Sequence, residues 1–403
     1  MKKVMVLTYW KYREALVQTY TLPYVRLLLK HLPQGSEVIL LTLEKAEDPM
    51  PPELMAMEQE RLKAEGITWL AHQYRPFGIR SLLGWLGLIP RLAGYVRHEK
   101  VTHLHAWCTP AGGLGYLLSR LTGRPLVVDS YEPHAESMVE NGTWSENGLA
   151  FRILFRLEKW QSQRATAVIA LTEGMQRYAL EKYQARFDRY FVKPACVDFD
   201  QFDHAAPRDP ALVQKLELNH KVVAVYAGKL GGIYLEEEVF DWLKAAFDYW
   251  GDRFRAVLLT PNPKAEVDRW CAQKAIPENV VSTQIESHHE VANYLRMGDI
   301  ALNPVRPVPS KRYCTSIKDG EYWAMGLPVM LPKGISDDSE IIARHRIGVV
   351  VETLQPESYQ PAMAAMDQLL QEDRLALRKR IVAVGQQYRH FNIAEKIYQE
   401  LYA

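Results

Sequence analysis

Short runs of consecutive apolar residues alternate along the whole chain with longer stretches in which apolar positions recur every three or four residues. An unbroken apolar run suits a strand buried on both faces, and the wider spacing suits one face of a helix. In the first half, strands are predicted at Val4–Thr8, Glu37–Leu41, Thr68–Leu70, Thr102–Ala106, Leu126–Asp129, Ala167–Ala170 and Tyr190–Val192. Helical spacing falls between them at Leu22–Leu32, Leu54–Ala64, Gly112–Leu121 and Leu149–Arg164. The alternation restarts at Lys221–Ala227. It continues through a helix over Leu235–Tyr249 and strands at Ala256–Thr260, Val280–Thr283, Ile300–Asn303, Pro328–Leu331 and Gly348–Val351. Repeated strand–helix alternation predicts parallel sheets covered on both faces. Between the two series, Asp203–Pro210 has two prolines, a charge cluster and no apolar period, and reads as the linker. The expected architecture is α/β, with two doubly wound domains over 1–202 and 211–385. The terminal segment 386–403 is expected to pack back on the first domain as a helix. Open parallel sheets hold ligands outside the carboxyl ends of their strands. Two such domains facing each other place the expected site in a cleft between them.

Composition narrows the class without naming it. Of 403 residues, 48% are hydrophobic and 24% charged, which excludes a disordered or fibrous chain. With 49 Lys and Arg against 48 Asp and Glu, nothing draws the whole protein to nucleic acid. The halves differ: residues 1–195 hold 25 basic and 19 acidic side chains (+6), and the remainder 24 and 29 (−5). That asymmetry points to different partners for each half. Four cysteines (Cys108, Cys196, Cys271, Cys314) are scattered without a Cys-x-x-Cys pair. They read as free thiols of a reducing, cytoplasmic compartment with no Cys-rich zinc site. The uncharged run Val101–Ser119 carries two His, one Pro and three Gly and does not read as a membrane span. At the N-terminus, Lys11 cuts the apolar run short and no small-residue cleavage site follows, so a first strand is the better reading than a signal peptide. Asn141-Gly142-Thr143 is a glycosylation triplet by spelling only.

Two patterns carry candidate chemistry. The first is Val225-Tyr226-Ala227-Gly228-Lys229-Leu230-Gly231-Gly232, a strand running into a glycine-rich turn before a helix. Glycines let the backbone approach a phosphate, the following helix start offers N–H groups, and Lys229 adds a positive charge. A plain tight turn fits the same residues. The second runs from Ser316 to Val329. A helix is predicted from Ser316, as N-cap, to Gly326, with a strand from Pro328. Lys318 and Glu321 are three apart and share a face. The cap, the helix dipole and Lys318 favour a diphosphate, and Glu321, one turn inward, can accept from two vicinal hydroxyls. The same pair also reads as a surface Lys–Glu contact.

The string Ser316-x-Lys318-x-x-Glu321-Tyr322-x-Ala324-x-Gly326-x-Pro328-Val329 resembles the donor-site signature of the retaining GT-B glycosyltransferases of the large group 1 family, also called family 4-like. Further stretches are similar to that family in the expected order: Thr102–Ala106, Arg164–Met175, Pro194–Phe202 and Met297–Pro304. Together they cover most of the chain. The resemblance implies a GT-B fold of two Rossmann-like domains and a nucleotide-diphosphate sugar donor, of UDP or GDP type, held by the C-terminal domain. It implies a glycan or lipid-linked acceptor on the N-terminal domain, in bacterial-type polysaccharide synthesis, with no metal and no other cofactor. Carried over by position, Glu321 binds the ribose, Gly231, Gly232 and Lys229 hold the pyrophosphate, and Ser316 helps to hold the phosphates or sugar. Base recognition is expected near Thr283–Ser287. Two positions depart from the family pattern. Tyr313 stands where a second Glu is usual, and Tyr234 and Leu235 stand where a second Lys is usual. The missing charge is assigned to Lys318, with Lys311 and Arg312 as alternatives.

In the N-terminal half the resemblance points to the loop after the fifth strand, where family members carry a His that contacts the donor sugar. Tyr131 holds the nearest aligned position, and His134, three residues on, is a candidate for that role, with a structural loop His as the alternative. Glu132 makes this loop acidic, and it is a candidate to orient acceptor hydroxyls. His103 and His105 share a strand face and read as packing. After the first strand, Tyr9-Trp10-Lys11 is aromatic and basic, suited to stacking on a sugar ring and holding phosphate; a capped turn with surface aromatics fits the same residues. The stretch 75–97 mixes apolar bulk with arginines and is a candidate contact with the inner face of an anionic membrane; a core helix is the alternative. A nucleotide-sugar epimerase on the same fold, or a non-catalytic nucleotide- or glycan-binding subunit, are the alternative functions.

Overall fold

A computed structural model describes residues 1–14, 16–45, 48–74, 79–202, 204–285 and 288–403. Among these residues two parallel sheets form. The first contains β1 (Lys3–Leu7), β2 (Glu37–Lys45), β3 (Ile67–Tyr74), β4 (His103–Trp107), β5 (Leu126–Tyr131), β6 (Ala167–Ala170) and β7 (Tyr190–Val192), in the order β3-β2-β1-β4-β5-β6-β7. The second contains β8 (Val222–Ala227), β9 (Phe254–Leu259), β10 (Val281–Gln284), β11 (Ile300–Leu302), β12 (Val329–Pro332) and β13 (Gly348–Val351), in the order β10-β9-β8-β11-β12-β13. Each predicted strand is found. Central strands such as β6 and β11 are buried along their whole length, which is why they read as unbroken apolar runs.

Strand order decides where ligands can sit. β1 pairs with β2 on one side and β4 on the other. β8 pairs likewise with β9 and β11. At these two places the winding reverses, and the loops leaving the neighbouring strands diverge to open a crevice. The aromatic loop after β1 and the glycine turn after β8 each stand at such a switch point.

The chain divides into Met1–Pro194 with Asn392–Ala403, and Ala195–Phe391. The division therefore comes earlier than Asp203–Pro210; Asp203 itself lies outside the described residues. Residues 195–202 are held by the second unit: Val197 donates its N–H to the Arg389 carbonyl at 2.7 Å, and Phe199 stacks on His390. Gly320 permits this approach, since a Cβ there would stand 3.0 Å from Val197 Cγ1. The terminal segment is split as well. The helix Arg374–Arg389 belongs to the second unit, and the helix Asn392–Tyr402 to the first.

A buried polar cluster fastens that last helix to the first sheet. Asp129, on β5, accepts from Tyr398 at 2.8 Å and lies 3.1 Å from both His105 Nε2 and Lys193 Nζ. His105 Nδ1 stands 2.7 Å from the Tyr402 hydroxyl. Lys193 also sits 3.8 Å from the Tyr24 ring centroid and 4.6 Å from that of Trp107, a desolvated cation–π arrangement. Asp129, His105 and Lys193 have no solvent exposure. Burial alone would raise the Asp129 carboxyl, but Lys193 and His105 hold it down at about 2.

Candidate functional site

In the second unit the glycine turn is built by its neighbours. Gly228 has φ +147° and Gly231 φ +84°, conformations that disfavour other residues. The Leu230 N–H donates to Asn262 at 2.8 Å, and the Tyr226 hydroxyl to the Lys229 carbonyl at 2.7 Å. The Leu235 N–H donates to the Pro304 carbonyl at 2.7 Å. This last bond ties the turn after β8 to the segment after β11, across the switch point.

Helix Ile317–Ala324 begins beside this turn. Lys318 donates to the Tyr234 hydroxyl at 2.8 Å and lies 4.1 Å from that ring's centroid. A Cβ on Gly228 would come within 2.6 Å of Lys318 Cε. Gly228 thus leaves room for the lysine, which Tyr234 steadies. Lys318 makes no ion pair with Glu321 among the described residues; its ammonium donates to Tyr234 instead, so the surface Lys–Glu contact is not formed. Glu321 is partly buried, and its carboxylate has no hydrogen-bond partner among the described residues. Burial pushes its pKa up to about 7, with Lys318 opposing. A partly dehydrated carboxylate with unused acceptor capacity, one turn from a cation, can accept hydrogen bonds from hydroxyl groups.

Ser316 occupies the N-cap position, but its side chain makes no capping bond. Its Oγ lies 3.5 Å from Asn303 Oδ1 instead. Asn303 is fully buried and gives its amide to Asp319 at 2.7 Å, which leaves its carbonyl oxygen as the acceptor. The first-turn N–H groups of the helix are consequently left without a capping side chain. Asp319 is held well above the usual carboxyl range by burial and by the neighbouring Asp338. Asp338 in turn is paired with Arg389. This polar group, which sequence reading missed, anchors the helix from below. Lys229 and Gly232 lie on the turn, Lys229 exposed. Tyr313 is half-buried at the end of the short helix Pro309–Tyr313. Lys311 is buried and Arg312 exposed. Of the stretch Thr283–Ser287, Glu286 and Ser287 lie outside the described residues.

In the first unit His134 Nδ1 stands 3.2 Å from Glu132 Oε1, at the start of helix His134–Glu140. Beneath them is Glu158, fully buried, which accepts from the Ala135 N–H and the Tyr183 hydroxyl, each at 2.9 Å. Burial pushes Glu158 up to about 7, and His134 opposes the shift. Tyr131 is directed into the core, where its hydroxyl meets Ser162. After β1, Tyr9 and Trp10 are half-buried and Lys11 is paired with Asp48. Within 75–97, residues 75–78 lie outside the described residues. From Leu88 onward, helix Ile79–His98 buries Leu88, Leu92, Ala93 and Val96, which is the core-helix reading for that part. Among the described residues no helix is long and apolar enough to cross a membrane.

Two parallel sheets of seven and six strands, each with a switch point beside its first strand, and a glycine turn facing a helix start at the second, define the GT-B glycosyltransferase fold with its two Rossmann-like domains. Residues 21–196 match the family model of the glycosyl transferase 4-like domain. Among solved structures it is similar to HepE of Anabaena in complex with UDP, at 16% identity and TM-score 0.71, over 100% of this chain and 99% of that one. HepE has also been solved with UDP-glucose. Sucrose-phosphate synthase of Thermosynechococcus elongatus aligns at 14% identity and TM-score 0.72, over 100% and 98%. A glycosyltransferase of Rickettsia africae aligns at 15% and 0.68, over 100% and 97%. No curated protein sequence matches the chain.

Proposed function

We propose that the protein is a retaining glycosyltransferase that takes a sugar from a nucleotide diphosphate, of UDP type, and passes it to a hydroxyl of a glycan or lipid-linked acceptor. The observation that carries this reading is the unpartnered carboxylate of Glu321 beside Lys318 and the Gly228–Gly232 turn. Glu321 accepts from the two ribose hydroxyls. Lys318, Lys229, the N–H groups of the turn and the uncapped helix start offset the diphosphate charge, which grows as the sugar departs. Ser316 and Tyr313 border the phosphates and sugar. In the transfer the bond between the sugar and the diphosphate oxygen breaks and the acceptor oxygen bonds to the same face. The acceptor proton passes to the departing phosphate. No Asp or Glu of the chain is assigned as a nucleophile. By the family resemblance, His134, 3.2 Å from Glu132, is assigned the contact with the donor sugar, and Tyr9, Trp10 and Lys11 the contacts with the acceptor. The HepE complexes with UDP and UDP-glucose support the choice of base.

A thermal-shift panel of UDP-, GDP-, ADP- and CMP-sugars tests the donor. Saturation at about 100 times Kd is expected to add about 2.7 kcal/mol for the UDP compounds. NMR of the product anomeric configuration then tests retention. An inverted product, or donor epimerisation without acceptor, overturns the reading.

A further inference from the structure

A cavity of about 270 Å³ lies at the amino ends of strands in the second sheet. Val222 begins β8, Asp299 precedes β11 and Pro328 precedes β12, and all three line it. The glycine turn leaves the opposite end of β8, so this cavity is no part of the donor site. Among the described residues three cations line it, Lys221, Arg374 and Arg378, against one carboxylate, Asp299. Both oxygens of that carboxylate are taken. Its Oδ1 lies 2.6 Å from Arg208 Nη2 and 3.2 Å from Arg374 Nη2, and its Oδ2 accepts from the Val223 N–H at 3.1 Å. Arg378 donates to two carbonyls, His204 at 3.2 Å and Gly298 at 3.4 Å. Arg208 and Arg296 stand close enough to repel it, and the Nε of each is buried with no acceptor among the described residues. Burial and these neighbouring arginines pull Arg378 down to about 10, with Asp299 opposing.

We propose that this cavity binds the dianion of a small phosphate monoester, at a place the transferase reading does not use. Arg374 and Arg378 stand one turn apart on helix Arg374–Arg389, and their guanidinium groups offer paired donors that match phosphate oxygens. Lys221, just before β8, adds a third cation; its Nζ gives one bond to the Asp252 carbonyl at 2.7 Å and has two donors left. Charge selects the ligand. Several cations around a carboxylate already satisfied favour a doubly charged group over a single carboxylate. Leu327 and Leu377, both buried, supply an apolar floor for the carbon part. Drug-sized ligands occupy about 300–1,000 Å³, so a cavity of this size suits a triose or pentose phosphate rather than a nucleotide. Binding here requires neither a donor nor turnover.

Calorimetry of the full chain with ribose 5-phosphate, inorganic phosphate and ribose tests this. The ester is expected to bind with a Kd of about 1 mM or tighter, ahead of inorganic phosphate, with an affinity that falls as salt rises. Ribose should not bind. Arg374→Gln and Lys221→Gln are each expected to weaken the ester about tenfold or more, since each removes a charge-assisted bond. Arg374 is exposed and Lys221 half-buried, and Asp299 keeps Arg208 in both variants, so melting temperatures should stay near wild type. Lys318→Ala, at the other edge of the sheet, should bind the ester as wild type does, whatever its effect on the donor. The proposal is overturned if the ester does not bind, if Arg374→Gln and Lys221→Gln bind it as wild type does, or if inorganic phosphate binds as tightly as the ester. Loss of the ester in Lys318→Ala would overturn it too, by placing the phosphate in the donor site.

Discussion

Replacing Lys193 by Ala is expected to lower the unfolding free energy by about 3–5 kcal/mol, enough to unfold many domains of this size. The ammonium is fully buried, 3.1 Å from Asp129, against the rings of Tyr24 and Trp107. Removing it leaves a buried carboxylate with only His105, Tyr398 and the Ser130 N–H to satisfy it. The loss follows from the stranded charge rather than from the value of the pair. Lys193→Met with Asp129→Asn should therefore recover much of the stability. The coupling between the two substitutions, read from urea denaturation, should reach about 2 kcal/mol or more. Additive losses would mean that Lys193 and Asp129 do not depend on each other. The folded Asp129 carboxyl, at about 2, lies below its ordinary 3.8. Its contribution is present above pH 3.8 and is lost as pH falls through 2.

Glu321→Gln is expected to do two opposite things. Nucleotide affinity should fall about 10- to 100-fold, as bonds from the ribose hydroxyls lose an ionised acceptor worth about 1.5–3 kcal/mol. Stability of the free protein at pH 8 should rise by up to about 3 kcal/mol. The folded carboxyl binds its proton more tightly than the unfolded one, about 7 against 4.5. The stability of the neutral form is therefore complete below pH 4.5 and is lost as pH rises through 7. Glutamine stays neutral and avoids that loss. Wild-type affinity should accordingly increase with pH up to about 7, where the carboxylate becomes available without the cost of removing its proton, while the Gln variant should show no such rise. Calorimetry at pH 6 and 8 checks affinity, and urea midpoints check stability. Equal affinities for the two proteins at both pH values would remove Glu321 from the site.

What could be read in advance follows from how local each signal is. The strands are short apolar runs, and the glycine turn and the helix opening at Ser316 are contiguous patterns, so sheets and candidate turn were both visible in the chain. Lys193 was not. It is a single lysine after a short strand, and its partners lie at Tyr24, Trp107 and Asp129. Tyr398 and Tyr402, which complete the cluster, stand some 200 residues further along. Ser316 stands at the N-cap position as expected, but its side chain makes no capping bond, because Asn303 reaches it from another strand end, which no local pattern shows. Tyr234 looked like a gap in a charge pattern; its hydroxyl is the partner of Lys318. Glu158 gave no signal because a carboxylate on a helix ordinarily faces water, and this one faces the backbone of Ala135. The domain limits fell where Gly320 lets Val197 pack, a contact that no composition shift marks.

A nucleotide diphosphate is expected to lie across the Gly228–Gly232 turn and the start of helix Ile317–Ala324. Hydrogen exchange with and without saturating UDP, repeated with GDP, ADP and CMP, reads this most directly. Protection is expected at the amides of residues 228–232 and 317–321 together with UDP, and not with CMP. Protection confined to other segments, or none with any nucleotide, would contradict it.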